Sequence, residues 1–228
     1  MKKILTIGHR GAKGHQPENT LASFRTAIDL NADGIELDVR LSSDGKLVVI
    51  HDETIDRVTD SIGTVNTFTL QELKAFRING IHEIPELSEV FDLISGNYLI
   101  NIELKEYETA DPVVELIQKY ISENNRNYTD FLISSFDWTA LQQVRNQDAQ
   151  IPLGVLTETD LDLALAFAKF IQAETIHPHY HLLTLENTIR LQQKGLRIFA
   201  WTINEPEDIG RMKDFKINGI ITDFPERV

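Results

Sequence analysis

The sequence predicts an α/β fold, a (β/α)8 barrel of the TIM type, and three observations lead there. Short apolar runs alternate with helical patterns along the whole chain, and strictly alternating β and α units imply a parallel sheet. Setting one hairpin return aside, there are eight such runs, the number that closes a barrel. The competing doubly wound open sheet usually carries a glycine-rich dinucleotide loop after its first strand, and this chain has none there. Its 228 residues fall a little below the ~250 typical of such barrels. We therefore expect one domain over residues 1–228, with a small insertion at about 52–85.

The elements follow in order. Ile4 to Gly8 reads as the first strand. Pro17 suits the first turn of a helix that puts Leu21, Phe24, Ala27 and Ile28 on one face. Gly34 to Val39 is the second strand, Asp44-Gly45 a hairpin turn, and Leu47 to Ile50 the return. The polar stretch that follows holds Thr69-Leu70-Gln71-Glu72, with the spacing of a capping box. Leu87, Val90, Phe91 and Ile94 recur at helical spacing. Tyr98 to Leu104 is the third barrel strand, and Asp111-Pro112 opens a helix burying Val113, Leu116, Ile117 and Tyr120. Strands at Phe131–Ile133, Leu153–Leu156, Thr175-Ile176, Arg197–Trp201 and Gly219–Thr222 complete the set, separated by helices. The last of these helices runs from Glu205 to Phe215, and the one before it stops near Gly195.

Composition excludes several classes of function. With 42% hydrophobic and 25% charged residues the chain can build a core, so global disorder is excluded. A net charge of −13 argues against nucleic-acid partners and against docking on anionic lipid. The absence of cysteine removes disulfides, thiolate metal sites and cysteine nucleophiles. Polar residues interrupt the N-terminal apolar stretch, and no run approaches the ~18 apolar residues of a membrane span. The expectation is a cytoplasmic protein without stable membrane insertion, acting on a small molecule.

In a barrel of this kind the chemistry sits where the strands end. Glu36 and Asp38 lie two apart on the second strand and so point to one face. Glu103 ends the next barrel strand. An arbitrary Glu-x-Asp is more often solvated or paired with Arg or Lys. Three strand-end carboxylates without a thiolate suit one hard divalent ion, Mg²⁺ or Ca²⁺. His9 and His51 end the first strand and the hairpin return, and imidazoles titrating near neutrality suit an acid–base pair. Arg10 and Lys105 offer positive charge for a phosphate, alongside or instead of ion pairs with the acids. Trp201 is either packing or a pocket wall able to face an alcohol or a quaternary amine. His177, His179 and His181 would face one side of an unbroken strand, as a zinc site requires, but Pro178 interrupts it. Lining of the substrate pocket by His177 or His179 is the better reading of that run.

The residues reach a resemblance at this point. His9-Arg10-Gly11, Pro17-Glu18-Asn19-Thr20, Glu36-Leu37-Asp38-Val39, Asp44-Gly45 and His51-Asp52 resemble the signature of the glycerophosphodiester phosphodiesterase family. The similarity continues through Asp56-Arg57, Ile84-Pro85, Ile102-Glu103-Leu104-Lys105, Ser135-Phe136, Trp201-Thr202-Ile203-Asn204 and Ile221-Thr222-Asp223-Phe224-Pro225. The ordered set spans nearly the whole chain. It implies a barrel whose characteristic insertion follows His51. By match, His9 and His51 would be the acid–base pair, Glu36, Asp38 and Glu103 the metal ligands, and Arg10 and Lys105 the phosphate holders. The implied reaction is hydrolysis of a glycerophosphodiester to glycerol 3-phosphate and an alcohol, in lipid and glycerol metabolism. A lysophospholipase-D-type phosphodiesterase and a non-catalytic phosphodiester-binding barrel are the alternatives.

Overall fold

The computed structural model describes residues 3–94, 96 and 98–228. Eight parallel strands close on themselves: β1 (Leu5–Gly8), β2 (Gly34–Leu41), β4 (Leu99–Leu104), β5 (Phe131–Ser135), β6 (Leu153–Thr157), β7 (Thr175–Pro178), β8 (Arg197–Ala200) and β9 (Gly219–Thr222). The ring is sealed where β1 pairs with β9, Gly8 opposite Thr222, and with β2, Gly8 opposite Ile35. A ninth strand, β3 (Leu47–Val49), pairs antiparallel with the end of β2 and lies outside the ring. The barrel expectation is met, and the hairpin return is that outer strand.

Eight helices accompany the strands among the described residues: α1 (Leu21–Asp29), α2 (Leu70–Leu73), α3 (Leu87–Leu93), α4 (Ala110–Glu123), α5 (Trp138–Gln147), α6 (Leu161–Phe170), α7 (Leu185–Gln193) and α8 (Pro206–Asp214). Their starts follow from side chains that replace missing backbone partners. Thr20, Thr69, Asp137, Asp160 and Thr184 each accept a hydrogen bond from a first-turn N–H. Pro17 does not enter the first turn of α1. The Thr20 hydroxyl donates to Pro17 O, Asn19 turns left-handed at φ 57°, and the helix begins only at Leu21. No helix is long and apolar enough to cross a membrane among the described residues.

Strands buried on both faces explain the near-continuous apolar runs of β5, β6 and β9. Their outer faces pack under the helices in the main core, which includes Phe24, Phe91, Val113, Ile133, Leu141 and Ile198. Inside the ring a separate apolar plug forms from Ile7, Leu132, Phe199 and Ile221, with Leu5, Leu99 and Trp201 against it. That plug fills the lower barrel beneath the strand ends that carry Glu36, Asp38 and Glu103. The segment after β3 buries Ile50, Ile55, Val65, Leu73, Ile78 and Ile84 in a third cluster with Val48.

Candidate active site

The loop after β1 sets the first part of the site. Arg10 and Gly11 both turn left-handed, at φ 51° and 82°. A Cβ on Gly11 would collide with Ser23, so glycine is required there. The strained Arg10 backbone is held from both sides. Its N–H donates to Glu36 Oε2 at 2.8 Å, and its carbonyl accepts from Ser23 Oγ at 2.8 Å. His9 N–H donates to Thr222 O at 2.8 Å, which ties the loop to β9 across the barrel seam.

Both candidate histidines sit against carboxylates. His9 Nδ1 lies 2.7 Å from Asp223 Oδ1, and Asp223 Oδ2 accepts from Asn204 Nδ2 at 2.8 Å. His51 Nδ1 lies 2.6 Å from Asp52 Oδ1. With each carboxylate ionised, Nδ1 carries the hydrogen and Nε2 is left bare. Burial holds both imidazoles below the ordinary histidine range, against the pull of Asp223 on His9 and of Asp38 and Asp52 on His51. On Asp223 and Asp52 burial acts in the opposite sense and raises them. Hydrogen bonds from His9 and Asn204 keep Asp223 low, and those from Arg57 and His51 keep Asp52 low.

A chain of alternating charges joins these groups. Arg57 donates through Nε to Asp52 Oδ2 at 2.6 Å and through Nη2 and Nη1 to Glu18 at 2.7 and 3.0 Å. Arg10 Nη1 donates to the same Glu18 at 2.6 Å, while its Nε approaches Asp38 Oδ2 at 3.3 Å. Glu18 is held at about 2: burial pushes it up, and the two guanidinium groups more than reverse this. Arg57 therefore orients the partner of His51 and the partner of Arg10 together.

The three predicted acids converge. Glu36, Asp38 and Glu103 each offer an oxygen, all within 4.8 Å of one another. Lys105 Nζ lies 2.6 Å from Glu103 and 3.5 Å from Asp38. Asn19 Nδ2 also donates to Asp38, at 2.8 Å. Burial raises Glu36 well above its ordinary range, and Asp38 and Glu103 add to the rise. Burial and Asp38 lift Glu103 to about 7. Asp38 stays low: burial opposes it, but Arg10 and Lys105 face it directly. Ionised together, the three acids would carry an excess of negative charge over Arg10 and Lys105, which adds to burial in raising Glu36 and Glu103. An all-oxygen donor set with that excess fits a hard divalent cation.

One cavity of about 120 Å³ at the end of the barrel gathers His9, Arg10, Glu36, His51, Glu103, Lys105 and Trp201 at its walls. Asp38 meets it through Arg10 and Lys105. The opposite wall is apolar and aromatic: Phe136 stands edge-on to Trp201 at 5.5 Å, and Trp201 Nε1 donates to His177 O at 2.8 Å. The His177–His181 run does not make a metal site. His177 is fully buried and bonds Thr175, while His179 packs edge-on against Trp201 and stacks on His181. Neither His177 nor His179 lines the cavity. By the resemblance, Pro17 to Thr20 would support the site, and Glu18 does so through Arg10 and Arg57. Asp52, Arg57 and Asp223 stand in the motifs quoted above, Asp52 next to His51 and Asp223 at the end of the last strand, but their partners show only in the fold.

A model of the glycerophosphoryl diester phosphodiesterase family matches residues 9–227. A glycerophosphodiester phosphodiesterase of Caldanaerobacter subterraneus subsp. tengcongensis is 40% identical, over 98% of this chain and 96% of the relative. One of Bacillus altitudinis is 36% identical, over 100% and 96%. Among solved structures, the glycerophosphodiester phosphodiesterase of Thermotoga maritima superposes with a TM-score of 0.83 at 34% identity, covering 99% of this chain and 97% of that one. A phosphodiesterase of Oleispira antarctica, solved in complex with the product sn-glycerol-3-phosphate, gives a TM-score of 0.90 at 27% identity, over 98% and 94%.

Proposed function

The chain belongs to the glycerophosphoryl diester phosphodiesterase family, and on that premise we propose that it hydrolyses glycerophosphodiesters to glycerol 3-phosphate and an alcohol, with His9 and His51 as the acid–base pair. It is an enzyme of the phosphoric diester hydrolase class. The observation that best supports the finer reading is the pairing of each imidazole with a carboxylate through Nδ1, beside the three-acid cluster. Such pairing sets the tautomer and leaves Nε2 to take or give a proton.

Glu36, Asp38 and Glu103 would hold one divalent cation, Mg²⁺ or Ca²⁺, which supplies positive charge to a phosphoryl oxygen as negative charge builds there. Arg10 and Lys105 share that task from fixed positions, at no cost in reorganisation. One histidine removes the proton of the attacking hydroxyl, which belongs to water or to the neighbouring glycerol carbon; in the second case the alcohol leaves as a cyclic phosphate forms, and water then opens that ring to glycerol 3-phosphate. The other protonates the departing alkoxide. In-line displacement needs them on opposite sides of phosphorus, and they arrive from different elements, after β1 and after β3.

Release of glycerol 3-phosphate from glycerophosphocholine by the purified chain tests this. Turnover should vanish on chelation and return with Mg²⁺ or Ca²⁺. His9→Ala and His51→Ala should each lower kcat by on the order of 10²–10⁴ with the fold intact. Near-normal kcat in either variant removes that residue from the pair. No turnover with either ion, in a folded protein, would shift the reading to a lysophospholipid substrate.

A further inference from the structure

His51 lies just past the end of its strand. The antiparallel ladder of β2 and β3 closes with Ile50 N–H donating to Asp38 O at 3.0 Å, one residue short of it. Arg40 takes over there. It follows Glu36 and Asp38 at every second position of β2, and so on their face. Its Nε donates to His51 O at 3.0 Å. Its Nη1 donates to Glu106 Oε2 at 3.3 Å, and Glu106 Oε1 accepts from Leu41 N–H at 2.8 Å. Glu106 directly follows Lys105, whose N–H donates to Val39 O at 3.3 Å. The Glu106 carbonyl accepts in turn from the hydroxyl of fully buried Thr109, at 2.6 Å. The Arg40 side chain is only 13% exposed and does not line the cavity.

Resting on the reaction proposed above, we propose that Arg40 is a positioning residue: with Glu106 it braces the His51 loop against the end of β4 that carries Lys105. His51 then has two tethers. Its ring is held through Asp52, Arg57 and Glu18, a chain that ends at Arg10. Its backbone is held through Arg40 and Glu106, a chain that ends at Lys105. Each tether stops at one of the two cations assigned to the phosphate. The proton-transfer group and the phosphate holders are thereby fixed in one frame. In-line displacement needs such a frame, because a misplacement of about 1 Å can cost on the order of 10²-fold in rate. A guanidinium suits the post: its planar fork offers donors at a fixed spacing, one for a carbonyl and one for a carboxylate. Standing off the cavity wall, Arg40 acts through His51 and leaves the phosphate to Arg10 and Lys105.

Kinetics of glycerophosphocholine cleavage and amide exchange, both on the full chain, test this together. In Arg40→Gln kcat should fall roughly 10–100-fold while KM stays within about threefold, because His51 works in the transition state and the phosphate holders are untouched. Arg40→Lys should recover part of the loss, since one ammonium replaces a forked donor. Glu106→Gln keeps an acceptor for Leu41 N–H and guards against misfolding; it should lower kcat by a smaller factor at the same KM. The Ile50 amide, last in the ladder, should exchange about tenfold faster in Arg40→Gln. Wild-type kcat in folded Arg40→Gln and Glu106→Gln overturns the proposal, as does a loss carried by KM alone. A lowered Tm with kcat and Ile50 exchange unchanged overturns it too, because Arg40 would then serve stability only. A wild type that cleaves nothing sinks the reaction instead. Ile50 exchange then decides the brace, which stands if exchange quickens and falls if it does not.

Discussion

At the residue scale the site consists of pairs in which one side chain holds another. Asp223→Asn keeps the shape next to His9 but offers an amide where a carboxylate stood. The imidazole then loses the partner that selects its tautomer, and kcat should fall by on the order of 10³–10⁴ while Tm moves little. Steady-state kinetics beside thermal unfolding would check this, and a kcat within tenfold of wild type would mean His9 is oriented by something else. Arg57 is half exposed, yet it bridges Asp52 and Glu18. Arg57→Ala should lower kcat/KM by roughly 10–100-fold, the range seen when a group that orients a site residue is lost. Arg57→Lys restores the charge but not the forked donors, so it should recover only part of the loss. Full recovery by lysine would show that charge alone matters.

At the scale of elements, the start of α1 connects stability to the site. Thr20 is fully buried, accepts from Ser23 N–H at 3.1 Å and donates to Pro17 O at 2.8 Å. The same turn carries Asn19, which bonds Asp38, and Ser23, which holds the Arg10 carbonyl. Thr20→Ala should therefore cost about 1–2 kcal/mol in denaturant unfolding and lower turnover as well. Thr69→Ala removes a capping box at the start of α2, whose Leu73 packs in the third cluster and touches none of these groups. It should cost about 1 kcal/mol at most and leave kcat/KM within twofold. Equal losses of turnover in the two variants would break the link between α1 and the site.

Across the whole molecule, the buried histidine of β7 sets part of the acid stability. His177 is held at about 3, chiefly by burial and further by Arg197. The unfolded chain titrates this group near 6.5, so between the two values the unfolded state binds more protons. The contribution is complete above pH 6.5 and is lost as pH falls from there toward about 3. A Cβ on Gly154 would collide with this ring, so the barrel has made room for it. His177→Leu should flatten the decline in unfolding free energy between pH 6.5 and 4 relative to wild type. An unaltered slope would assign that decline to other groups.

The sequence by itself determined the alternation of strands and helices, the barrel they form, and the inward row Glu36, Asp38 and Glu103. Those follow from local rules: strand period, helix spacing, and which residue ends a strand. The capping box at Thr69 was readable for the same reason, although Pro17 misled because Thr20 caps three residues later. Only the tertiary structure decided what each site residue leans on. His9 and Asp223 are 214 residues apart and meet because β1 and β9 seal the ring. Arg57 reaches Glu18 only because the segment after β3 folds over the loop after β1. Hydrogen-bond partners across closed rings have no periodicity in the chain. They exist only once backbone pairing has fixed which strand ends are neighbours.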